Sequence, residues 1–122
     1  MKSIYQQSIL DRSLVIEIRS SSGHRLATGR LYPPESPPVA RLAEYKCSVI
    51  GGIFTDEAHR RKGLATRVMH GLLYLARQRG YRRVLLESDN AEATQLYRNL
   101  GFRTNHCHIN HKIRTMMFLS LK

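Results

Sequence analysis

At 122 residues the chain has the length of one domain, and a chain of that size buries roughly two-thirds of the surface it exposes when unfolded, so it needs no disulfide or metal to hold a core. A hydrophobic content of 42% and a charged content of 24% are those of a globular protein, but 20 Lys and Arg against 9 Asp and Glu leave a net charge of +11. That excess favours anionic partners: a nucleotide cofactor, an acidic protein, RNA or DNA. No apolar run approaches the ~20 residues of a membrane span, and no charged-then-apolar leader opens the chain, so no membrane partner is expected. Two cysteines, Cys47 and Cys107, make no disulfide framework, and a reduced, cytoplasmic protein is the simplest expectation.

Met1 to Arg12 is weakly patterned and fits either a short strand or a loose arm. Leu14 to Arg19 alternates as a strand should, Ser20 to Gly23 reads as a turn, and Arg25 to Tyr32 as the return strand of a hairpin. The prolines between Pro33 and Pro38 exclude a ladder and predict a rigid connector rather than a polyproline ligand. A further strand is expected from about Leu42 to Thr55, and Gly51-Gly52 near its end predicts a bulge or a close backbone approach.

Leu64, Val68, Leu72, Leu75 and Ala76 then recur at helical spacing up to Gly80, after a loop carrying Arg60, Arg61, Lys62 and Gly63. The first N–H groups of a helix have no internal partner and carry partial positive charge, so three cations and a glycine at that entrance make a phosphate cradle. A solvated basic turn capping an amphipathic helix is the bland alternative. Tyr81 to Glu87 predicts a strand, parallel to the previous one if the helix is a crossover. Asp89 and Asn90 are both good N-caps, and Asp89-x-x-Glu92 has capping-box spacing. Ala93, Leu96, Tyr97 and Leu100 form one face of a short helix ended by Gly101. Phe102 begins another strand, and Arg114 to Leu121 alternates well enough to be the last.

The spacing Arg60-x-x-Gly63-x-Ala65 resembles the pyrophosphate loop of the GNAT superfamily of acyl-CoA-dependent N-acyltransferases. Asn90-x-x-Ala93-x-x-Leu96-Tyr97-x-x-Leu100-Gly101-Phe102 resembles the next helix of that family, and the two motifs stand in family order with a strand between them. The resemblance covers Cys47 to about Phe102 and implies one α/β domain over residues 1–122: a compact mixed sheet of about six to seven strands with two main helices. The usual N-terminal helix pair, which walls the acceptor site, has no room before Leu14. This implies an open acceptor site or one closed by a second subunit, as in a homodimer.

By the same resemblance, acetyl-CoA is the acyl donor and no metal is expected. The main chain of Ile53, Phe54 and Thr55 would hold its pantetheine arm, and Arg60, Arg61, Lys62, Gly63, Leu64, Ala65 and Thr66 its pyrophosphate. Asn90 caps its helix and would lie close to the coenzyme. Tyr97 matches the tyrosine that protonates the departing sulfur, with a core aromatic as the alternative. The glutamates that serve as base in two branches of the family fall on Val49 and Leu85, and Glu87 is the nearest carboxylate, so either it or water removes the amine proton. His106, His108 and His111 could form a metal site, but their place in a terminal hairpin favours exposed histidines.

The implied function is transfer of an acetyl group to a primary amine by direct attack. The acceptor is left open among a small molecule, a protein and an aminoacyl-tRNA. A rival from another class is a basic acyl-CoA-binding module with little catalysis that docks RNA or an acidic protein. The cations outside the loop, Arg77, Arg79, Arg82, Arg83, Arg98, Arg103, Lys112 and Arg114, fit either solubilising charge or polyanion docking.

Overall fold

The computed structural model of the chain describes residues 2–7, 12–34, 47–109 and 112–121, with the backbone alone for residues 105–109 and 112–114. Seven strands, β1 (Lys2–Gln7), β2 (Leu14–Arg19), β3 (Arg25–Tyr32), β4 (Cys47–Thr55), β5 (Arg83–Ser88), β6 (Arg103–Ile109) and β7 (Lys112–Ser120), form one sheet in the order β1-β2-β3-β4-β5-β7-β6. Helix α1 (Leu64–Gln78) lies between β4 and β5, and α2 (Ala91–Asn99) between β5 and β6. Every strand pair is antiparallel except β4–β5. A parallel pair needs a crossover, which α1 supplies.

The N-terminal segment is thus a strand rather than an arm. It pairs with β2 through six positions, from Lys2–Arg19 to Gln7–Leu14. Only residues 8–13 separate the two strands, so the helix pair expected to be lacking has no place there. The strand expected from Leu42 is described from Cys47; residues 42–46 and 35–38 lie outside the described residues.

Helix α1 turns Leu64, Val68, Met69, Leu72, Leu73 and Ala76 inward and packs mainly on β3, with β2 and β4 on either side. Two glycines set how close it comes. A Cβ on Gly29 of β3 would stand 2.6 Å from both Val68 Cγ1 and Ile53 Cδ1, and one on Gly71 of α1 would stand 2.6 Å from Ile16 Cδ1. A larger residue at either position would force these neighbouring side chains, or the helix itself, to move.

Both helices stop the same way. Gly80 and Gly101 take left-handed conformations (φ 73° and 100°). The next amides reach back, Tyr81 N to Ala76 O at 3.1 Å and Phe102 N to Tyr97 O at 3.0 Å. This is the Schellman arrangement, and it places apolar side chains against the last turn. At α2 those are Phe102 and Tyr97, whose ring centroids lie 6.0 Å apart.

Candidate functional site

Beyond the pair Val49–Leu85 the parallel ladder of β4 and β5 stops after three positions. The expected irregularity at Gly51-Gly52 contributes to this. On the β3 side the register shifts between Thr28–Phe54 and Arg30–Gly51, so Gly52 and Ile53 together face Gly29, and Gly52 is left-handed at φ 62°. Two residues against one is a bulge, which bends a strand and strengthens its twist. The β5-facing edge of Ile53 to Thr55 is left outside the parallel ladder.

At the end of β4 a short 3₁₀ turn, Glu57–His59, leads into the cationic loop. The Asp56 carboxylate sits 2.8 Å from His59 Nδ1. That hydrogen bond is the main cause holding the Asp56 carboxyl below its ordinary pKa. Arg61 is left-handed at φ 62° although it is not a glycine, a conformation that is strained for a long side chain. Gly63, also left-handed at φ 76°, stands at the N-cap of α1, where no side chain caps the helix and no acidic residue occupies the first turn. The entrance of α1 therefore keeps its dipole and its first amides for something other than its own side chains.

A cavity of about 460 Å³ opens at this place, between the loop, the diverging strands and α2. The structure brings to it Ile53 and Thr55 of β4, Arg60, Arg61 and Gly63 of the loop, and Leu64, Ala65 and Thr66 of α1. Glu87 of β5, Asn90, and Tyr97 of α2 complete the expected set. Two expected residues are not on the wall. Phe54 lies between two inward residues on an alternating strand; its ring is 45% exposed and is covered by the Arg25 guanidinium at 5.8 Å. Lys62 is exposed beside the loop. Arg60, Arg61 and Lys62 form no ion pair among the described residues.

The sequence reading missed Asp89, Glu92, Ala93 and Leu96, which also line the cavity. Of the two candidate caps, Asp89 and Asn90, the structure uses the one that the resemblance implies. Asn90 is the N-cap, its Oδ1 accepting from Ala93 N at 2.8 Å, so Asp89 and Glu92 form no capping box, and both residues line the cleft. The junction of β5 and α2 is tied further by Ser88 and Thr94, whose hydroxyls lie 2.6 Å apart. Both also lie within hydrogen-bond reach of Asn90 O, at 3.2 and 2.9 Å, so one hydroxyl donates to the other and the second donates to that carbonyl.

Tyr97 is at once a core residue and a wall of the cavity, only 6% exposed. No described residue hydrogen-bonds its hydroxyl. Burial first, and then the Asp89 carboxylate, push its phenol above the ordinary pKa. A buried hydroxyl without a partner is costly unless something that enters the cavity engages it. A phenol is protonated at neutral pH whether or not burial raises it, so its place on the cavity wall suits a proton donor. The hairpin of β6 and β7 forms where the histidine cluster was expected, but His111 and the side chains of His106 and His108 lie outside the described residues.

Residues 4–102 match the profile of the Acetyltransferase (GNAT) family. Over 53 residues, 42% of this chain, the sequence is 36% identical to N-acetyltransferase 8 of Homo sapiens, and the match spans 23% of that protein's length. Among solved structures, a GCN5-related N-acetyltransferase from Kribbella flavida superposes with a TM-score of 0.74 at 17% identity, covering 94% of this chain and 71% of that one. An N-acetyltransferase from Staphylococcus aureus Mu50 gives 0.70 at 18% identity over 90% and 68%. At such identities the superpositions speak to the fold, and the profile speaks to the family.

Proposed function

The chain belongs to the GNAT acetyltransferase family, and from that premise we propose that it transfers an acetyl group from acetyl-CoA to a primary amine by direct attack. The observation that carries the proposal is the cleft where β4 leaves β5, with the buried Tyr97 on its wall and no partner for its hydroxyl among the described residues.

Bound acetyl-CoA supplies an activated acyl carbon, a sulfur leaving group and an anionic pyrophosphate. The uncapped entrance of α1, with Arg60, Arg61 and the backbone around Gly63 to Thr66, is the anion seat. Lys62 adds charge at its rim. The main chain of Ile53 to Thr55, free on its β5 side, offers hydrogen bonds to an amide-bearing arm as an added strand would. Tyr97 holds a proton for the departing thiolate, since a phenol stays protonated through neutral pH. Glu87 stands on the cavity wall from the β5 side and takes the proton the amine loses on acylation. Asn90 fixes the start of the helix that carries Tyr97.

The test is turnover, read as thiol release and as the mass of the acetylated amine across a panel of primary amines. Tyr97→Phe keeps the ring against Phe102, so folding and acetyl-CoA binding persist while turnover falls roughly ten- to a thousand-fold. Unchanged turnover in that variant would return Tyr97 to a purely packing role.

A further inference from the structure

Away from the cleft, α1 presents a second surface that acetyl transfer does not use. Its 15 residues include no aspartate or glutamate. Its exposed stripe runs Arg67, His70, Tyr74, Arg77 and Gln78, and Arg79 follows at the C-cap. Tyr74 is 61% exposed in the middle of that stripe. Strand β1 lies along one flank: Arg67 Nη2 donates to Ser3 Oγ at 2.9 Å, and a Cβ on Gly71 would be 3.8 Å from the Tyr5 hydroxyl. Tyr5 is itself 59% exposed, so two of the three large exposed hydrophobic residues among those described border the same helix face. Arg67, Arg77 and Arg79 make no ion pair with any described residue.

We propose that the face made by Arg67, Tyr74 and Arg77 of α1 with Tyr5 of β1 binds single-stranded nucleic acid. Cations that only solubilise are interspersed with carboxylates, and this helix has none. Arginine, rather than lysine, is the side chain whose planar fork matches phosphate oxygens. The two tyrosines distinguish the partner. An acidic peptide has no use for exposed rings between arginines, whereas bases stack on them regardless of sequence. From Arg67 to Arg77 the helix rises about 15 Å, room for about four stacked nucleotides. This surface is separate from the anion seat, so a strand bound on it leaves acetyl-CoA binding intact.

The experiment uses the whole chain and a fluorescently labelled 12-nucleotide oligouridylate, read by anisotropy over a salt series, with acetyl-CoA binding measured in parallel. Binding that weakens steeply with salt is expected. The double variant Arg67→Gln, Arg77→Gln should reduce the log–log salt slope by ~1.4, since each phosphate contact on a single strand contributes about 0.7. Tyr74→Ala should weaken binding roughly ten-fold while leaving the salt slope unchanged. Acetyl-CoA affinity in all these variants stays at the wild-type value, which separates this surface from the proposed cleft function. The proposal is overturned by absent binding at low salt, by displacement of the oligonucleotide by acetyl-CoA, by an unchanged affinity in Tyr74→Ala, or by tighter binding of a polyglutamate peptide.

Discussion

The two helices stand on the same sheet and are held to it by different means. Helix α1 is held along its length: six of its residues are buried among side chains of β2, β3 and β4. Its N-terminus needs no capping side chain because the packing already fixes it, and the amides there stay available. Helix α2 buries one residue, Tyr97, in nine. It is anchored at its start instead, by the Asn90 cap and the Ser88–Thr94 hydroxyl pair, and at its end by the Tyr97–Phe102 contact. The difference teaches how a cleft between two helices is built. A helix fixed by its core can leave its end open for a ligand, while a helix that carries a reactive side chain into a core must be located by polar ties.

Substitutions break that contrast in order of size. Leu72→Ala on α1, at a fully buried position, should cost about 2–5 kcal/mol of unfolding free energy by removing packed volume. Asn90→Ala on α2 should cost only about 1 kcal/mol, the value of a cap. Paired denaturation curves check this, and equal losses would remove the distinction between the helices. Gly63→Asp comes next. Aspartate tolerates the left-handed backbone better than most residues, so the fold should survive while acetyl-CoA affinity, read by calorimetry, drops at least ten-fold. Equal affinity would mean that the open end of α1 is not the anion seat.

The smallest effect sharpens the role of α2. Asp89 is one of the two causes that raise the Tyr97 pKa, the lesser one after burial. Asp89→Asn should therefore move the alkaline limb of the turnover profile to lower pH. The sign follows from the proton: Tyr97 acts as donor below its pKa and stops above it, and removing a neighbouring anion makes the phenol ionise sooner. The same raised pKa means that Tyr97 contributes stability at neutral pH that is lost as pH rises through its folded value.

Much of this was legible in the residues themselves. The bulge at Gly51-Gly52 and the ends of both helices at Gly80 and Gly101 are local signals, and each lies where the chain predicts it. Phe54 could have been excluded from the cleft wall by the same alternation that selects Ile53 and Thr55. Gly29 was not legible, because its reason is Val68, a partner thirty-nine positions away that only the fold brings near. The place of Asp89 and Glu92 on the cleft was not legible for a related reason. Capping-box spacing is a local rule, and the neighbouring asparagine met the cap first, which left two acidic residues to line a cleft that does not exist until β4 diverges. The exchange between Ser88 and Thr94 follows no local spacing rule, since it spans the turn from strand to helix.

The parallel ladder of three positions between β4 and β5 is also a seam. On one side, β1 to β4 close against α1; on the other, β5 and β7 pair through six positions and β7 pairs with β6 through seven. Each half is therefore zipped within itself more extensively than to the other. The chain crosses from one half to the other through the cationic loop and α1, and crosses nowhere else. Opening at that seam would break far fewer hydrogen bonds than opening either half, so its amides should exchange with solvent by a route that leaves both halves folded. The loop of Arg60 to Gly63 lies where the chain leaves the first group of strands for that crossing.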